Sequence, residues 1–139
     1  MPSVVLEFSI QCIPIPKARP RLGKWGAFTP ASTTAFEAVI RKAAQKAVLR
    51  NNWPVEPIDG KYELFLFVKR ARNSGDIDNF AKSVMDGLNG TVWPDDKLVH
   101  QIHVGMVTDH KNPGVWIGIK RSEATTKIVY EDWKFDSGW

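Results

Sequence analysis

The sequence predicts an α+β fold: a mixed β-sheet of about four to five strands packed by two helices. Three observations carry this. Apolar residues alternate at Val4–Ile10, form a dense β-rich run at Lys61–Val68, and return in strand-like segments at Leu98–Val107 and Val115–Lys120. Two stretches of helical period, from Thr34 to about Arg50 and from Asp78 to Leu88, interrupt them in the order β-α-β-α-β-β. At 139 residues, 43% hydrophobic and 24% charged, the chain has the size and composition of one globular domain with its own core.

Val4, Leu6, Phe8 and Ile10 share a strand face opposite Glu7 and Ser9. Pro14, Pro16 and Pro20 then argue for an irregular loop to about Pro30, kept pliable by Gly23 and Gly26. Thr34 and Glu37 read as a capping box. Phe36, Val39, Ile40, Ala43, Ala47 and Val48 follow as a core stripe. Lys61–Val68 is apolar on both faces, which suits a central strand. In the second helix Phe80, Ala81, Val84 and Leu88 share a face, and Asn89-Gly90 is the stop. Pro94-Asp95-Asp96 reads as a turn, and the last two strands read as a pair joined through Asp109–Gly114. The domain is expected to span 1–139, with its core at about 4–121. The tail 122–139 reads as a short strand, an arm or a disordered end.

Several classes are excluded. No apolar run approaches the ~18 residues of a membrane span, and the first twelve residues lack the basic start of a secretion signal. A lone Cys12 cannot close an internal disulfide, which fits a reducing, cytoplasmic setting. His100 and His103, three apart in a strand, face opposite ways and have no cysteine partners for zinc. Cys12 reads as a small buried hydrophobe, and Phe65, Phe67 and Trp116 as core or interface.

The net charge of +4 is modest, but its placement is uneven. Lys17, Arg19, Arg21 and Lys24 form one basic cluster and Lys69, Arg70 and Arg72 a second. Such groups bind phosphates without reading sequence. Trp25 and Phe28 offer aromatic surface that could stack on bases or pack on the domain itself. Against this background Asp76, Asp78, Asp86, Asp95 and Asp96 crowd into one stretch.

Carboxylates at i and i+2 of an extended chain lie about 6.6 Å apart on one side, so Asp76 and Asp78 can share a hard cation. Lys82, four residues beyond Asp78, falls on the same helical face, where an ammonium can hold a phosphate. Asp86 lies about 12 Å past Asp78 at helical rise, too far to share its metal, and is assigned to a structural pairing. Only one of Asp95 and Asp96 can face a site that way, and the sequence does not choose between them. Together these residues point to metal-dependent phosphodiester chemistry.

The stretch GDIDNFAKSVMDGLNGTVWPDDKLV, residues 75–99, closely resembles the RusA family of Holliday-junction resolvases. The shared pattern is D-x-D-N, a lysine three residues later, D-x-L-N-G, and an aromatic shortly before D-D. Lys17–Arg21 (K-x-R-P-R) is similar to the family's basic motif. The resemblance implies that Asp76, Asp78 and Asp96 are catalytic, metal-binding aspartates, that Lys82 is the catalytic lysine, and that Asp95 is an accessory acidic position. It implies Mg²⁺, with Mn²⁺ as a substitute, and a homodimer that resolves four-way junction DNA by paired symmetric nicks in recombination and repair. It also implies a bacterial or phage origin. Gly75 departs from the pattern, since the family often has a basic residue there; Lys69, Arg70 and Arg72 lie near enough to compensate. Two rivals remain at this point: a non-catalytic dimeric junction-binding protein, and a metal-dependent nuclease for other branched DNA.

Overall fold

The structure, a computed structural model, describes residues 4–18, 21–23, 26–28, 31–54 and 60–123. Its elements are β1 (Val4–Gln11), β2 (Arg21–Gly23), β3 (Gly26–Phe28), α1 (Ala31–Asn51), β4 (Gly60–Arg70), α2 (Ile77–Leu88), a single 3₁₀ turn (Asp96–Leu98), β5 (Val99–Thr108) and β6 (Gly114–Glu123). The fold is α+β, with a mixed four-stranded sheet in the order β1-β6-β4-β5. The tail from 124, together with Arg19, Lys24 and Trp25, lies outside the described residues.

The apolar run predicted as a central strand is central: β4 pairs antiparallel with β6 and parallel with β5. The parallel pairing follows from the β4–α2–β5 connection, a helical crossover that returns the chain in the same direction. The expected pairing of the last two strands does not form. Instead β6 crosses the end of β4 and inserts between β4 and β1. Burial gives the reason. Val115, Ile117 and Ile119 are almost completely buried and need neighbours on both sides, whereas on β5 Ile102 and Val107 stay exposed, as an edge strand tolerates. The β5–β6 loop is closed by Asp109 Oδ1, which accepts from the backbone N–H of Lys111 and Asn112 (3.1 and 3.0 Å).

The proline-marked loop is not wholly irregular, because β2 and β3 pair antiparallel within it, with Arg21 opposite Phe28. Pro20 precedes that ribbon rather than interrupting it. The first helix starts at Ala31, one turn before the predicted capping box, and Glu37 pairs with Lys17 rather than with a cap. Its buried stripe is Thr33, Phe36, Ile40, Ala44, Ala47 and Val48. Ala44 replaces the expected Ala43, and Val39 is exposed, because the stripe follows α1's contacts with both α2 and β1.

Leu6, Leu64, Leu66, Val68, Ile117 and Ile119 line the helix-facing side of the sheet, against Phe80, Val84, Leu88 and Ile40 from the helices. The two helices approach closely at Gly87, where a Cβ would stand 2.8 Å from Ile40 Cβ. Phe67 and Trp116 are cross-strand neighbours on the opposite side and are more than a third exposed, so they are not core. Phe65, beside them, stacks on His103. Cys12 is half-buried, and desolvation pushes its thiol up to about 11.

Candidate active site

The segment that carries the acidic residues is held from both ends. Arg70, at the end of β4, donates to the carbonyl of Gly75 (2.9 Å), to Asn73 Oδ1 (2.5 Å) and to Thr108 Oγ1 on β5 (2.8 Å). One guanidinium therefore shapes the loop that delivers Asp76. Gly75 has φ +99°, and a Cβ there would meet the Phe80 ring at 2.7 Å. A side chain at the departing position would both strain the backbone and strike the core. On the other flank, the backbone N–H of Lys17 donates to the carbonyl of Asn79 (2.8 Å), and Ser83 Oγ donates to that of Ile15 (2.7 Å).

Asp76 is the N-cap of α2. Its backbone is extended and its carbonyl receives the N–H groups of Asn79 and Phe80, while its carboxylate makes no capping bond. Asp78 sits in the first turn, exposed, without a hydrogen bond or ion pair among the described residues. Both carboxylates face solvent at a helix N-terminus, where the backbone itself favours anions such as phosphate.

One turn on, Lys82 Nζ lies 3.2 Å from Asp96 Oδ2 and 3.2 Å from Asp86 Oδ1, with half its side chain exposed. Burial alone would lower its pKa, but the hydrogen bonds and charges of Asp86 and Asp96 together outweigh that and raise it. The ammonium therefore persists through neutral pH. Asp86 joins a second cation, Lys17, at 2.9 Å, and Lys17 also reaches Glu37 of α1 at 2.8 Å. Lys17's pKa is raised on the same balance, desolvation opposed by its two carboxylates.

The structure separates the two adjacent aspartates. Asp95 Oδ1 accepts the N–H of Lys97 and caps the 3₁₀ turn; that bond is the main reason its pKa is lowered. Asp96 faces Lys82. It also receives Asn89 Nδ2 at 3.5 Å, and the Asn89 carbonyl oxygen accepts from Trp93 Nε1 at 2.7 Å. Trp93 is fully buried against Tyr62, so the amide is aimed by the core.

In the sequence, Asn89 reads as a helix stop and Glu37 as part of a cap. Asn89 and Trp93 are four apart, a spacing that allows such a bond, but Glu37 meets Lys17 only through tertiary packing. Of the predicted site residues, the structure brings Lys82 and Asp96 into contact and leaves Asp78 one turn before Lys82 and Asp76 at the N-cap; Asp86, expected to serve a structural pairing, makes one with Lys17 and Lys82. Among the described residues no three carboxylate, histidine or cysteine side chains converge as a metal site. Lys69 and Arg72 are partly or fully exposed; of Arg21 only the backbone is described.

A sequence model of the family described as Endodeoxyribonuclease RusA matches residues 12–120, most of the chain and all of the site just described. The chain belongs to the RusA endodeoxyribonuclease family. It is therefore a DNA-cutting hydrolase of a family whose activity is Holliday-junction resolution. No curated protein matches the sequence closely. No helix among the described residues is long and apolar enough to cross a membrane.

Proposed function

We propose that this RusA-family nuclease is a Mg²⁺-dependent, structure-selective endonuclease that resolves four-way junctions by paired symmetric nicks and acts as a cytoplasmic homodimer. The observation that carries the reading is Lys82, half-exposed and held between two carboxylates, on the helix that opens with Asp76 and Asp78, both exposed and without an ion pair among the described residues.

The donor chemistry fits a hard divalent cation. Magnesium is bound through one or two carboxylates together with waters and substrate phosphate, so convergence of three protein donors is not needed. Asp76 and Asp78 would hold it, with Asp96 as a third acidic group and Asp95 as an accessory. A bound ion supplies Lewis-acid activation of water near neutral pH and charge stabilisation at phosphorus. Lys82 holds the scissile phosphate and offsets charge on its non-bridging oxygens. Arg19, Arg21, Lys24, Lys69 and Arg72 would contact flanking phosphates.

Dimerisation is supported by an apolar groove of about 500 Å³ between α2 and the edge strand β5, formed by Ile77, Ala81, Met85, Ile102 and Val104. Asp78 and Lys82 stand on its rim, so a second copy seated there would bring two sites together, as paired nicking of a two-fold junction requires.

The test compares a mobile four-way junction with flap and linear duplexes, with and without Mg²⁺ or Mn²⁺. Asp76→Asn is expected to abolish cleavage while junction binding survives. Full activity in that variant removes Asp76 from the site, and equal cutting of flaps removes junction selectivity.

A further inference from the structure

The ion pairs around α2 form one chain of alternating charge: Glu37, Lys17, Asp86, Lys82, Asp96. It begins on α1, passes through the segment before β2, and ends at the turn before β5. Lys82 is the exposed member, at 50% against 14% to 24% for the other four. Asp86 divides its oxygens, Oδ2 toward Lys17 and Oδ1 toward Lys82, while its backbone carbonyl accepts from Arg41 of α1 (3.3 Å). The inner part of the chain is anchored by backbone as well as by charge, since Lys17 N–H bonds the Asn79 carbonyl of α2.

This arrangement gives Lys17 a different task from its basic neighbours. Its ammonium uses two of its three donors on carboxylates within 2.9 Å, and its side chain is only 24% exposed against 50% for Lys82, so it offers a DNA phosphate far less than Lys82 does. A flexible four-carbon lysine such as Lys82, by contrast, adopts one direction only if partners hold it. Asp96 alone would pull it toward the 3₁₀ turn. Asp86, fixed from behind by Lys17, holds it from the other side and leaves its exposed flank to the phosphate.

We propose that Lys17 and Asp86 are positioning residues that aim Lys82 at the scissile phosphate, and that Lys17 does not serve as a phosphate contact. The inference rests on the reading of Lys82 as the phosphate-holding group. Aligning a group before reaction is worth one to several orders of magnitude in rate. Loss of either residue should therefore slow the chemical step and leave junction affinity almost unchanged.

The experiment uses the full chain and a four-way junction, with single-turnover cleavage at saturating protein, junction Kd at several salt concentrations, and thermal melting. Asp86→Asn, nearly isosteric, and Lys17→Gln are each expected to cut the rate by about 10- to 100-fold. The slope of log Kd against log salt should stay at the wild-type value. Lys17→Arg, which can bridge the same two carboxylates, should restore most of the rate. Asp86→Asn in a Lys82→Ala background should add no further loss, whereas a merely structural role would compound it.

A salt slope reduced by about 1 in Lys17→Gln, with an unchanged rate, would show a lost phosphate contact and overturn the proposal. So would wild-type rates in Asp86→Asn when Lys82→Ala is inactive. If Lys82→Ala itself cuts at the wild-type rate, the assignment of Lys82 falls, and the positioning role with it.

Discussion

Trp93→Phe tests how far the buried core reaches into the site. Trp93 is 1% exposed, sits edge-on to Tyr62 with ring centroids 5.5 Å apart, and donates from Nε1 to Asn89 Oδ1 at 2.7 Å. Phenylalanine removes that donor and leaves the amide oxygen without its partner, at a cost of about 1–3 kcal/mol. It also leaves a void of ~40 Å³, worth ~1 kcal/mol if the surroundings do not relax. The sum, roughly 2–4 kcal/mol, is within the 5–15 kcal/mol typical of a domain, so the variant folds. Its Tm should fall by roughly 6–14 °C. Asn89, free to turn, no longer presents its N–H₂ to Asp96, and cleavage measured well below the Tm should drop about 10-fold. Chemical denaturation of Trp93→Phe, Asn89→Ala and the double variant completes a cycle. Because the double variant has no orphaned oxygen, it should be more stable than additivity allows, by about 1 kcal/mol or more. Strict additivity, or a Trp93→Phe penalty under about 0.5 kcal/mol, would refute the claim that this bond is made and matters.

Other substitutions and conditions follow from the same geometry. Gly75→Ala forces a side chain into φ +99° and against Phe80, so it should cost about 1–3 kcal/mol in denaturant melts and depress cleavage by moving Asp76; a silent substitution would contradict the turn. Cys12, with its thiol near 11 instead of 9.0, should carry about 100-fold less thiolate at pH 8 than in the unfolded chain and react with iodoacetamide correspondingly more slowly. The raised value also sets a sign. The unfolded chain releases this proton first, so the Cys12 contribution is intact below pH 9 and stability declines as pH rises toward about 11. A Cys12→Ala variant should lose that part of the alkaline slope, and an unchanged slope would show that other groups carry it.

The residues of the site were legible because their chemistry is local. Asp76 and Asp78 stand two apart, Lys82 one turn later, and Asp95-Asp96 after a helix stop, spacings that follow from backbone periods alone. The two helices and the central place of β4 were legible for the same reason, through apolar pattern on one face or both. Other features depended on partners far away in sequence. Nothing local in Leu98–Val107 and Val115–Lys120 says that they avoid each other, since that follows from β1 and β4 taking the two edges of β6 and leaving none for β5. Likewise Asp95 and Asp96 are equivalent on paper, and separate only when one caps a turn and the other meets Lys82.

Sequence by itself thus determined the class of chemistry, because carboxylates and a lysine at fixed spacings on a helix limit what the segment can bind. Tertiary structure alone decided what those charges are held by. Lys17 belongs to a basic cluster in the sequence, yet its ammonium is paired with Glu37 and Asp86. The reason is physical: spacing fixes which side chains share a face, but the partner of a charge is set by which elements pack together, and α1 and α2 meet across 37 to 86 only in the folded chain.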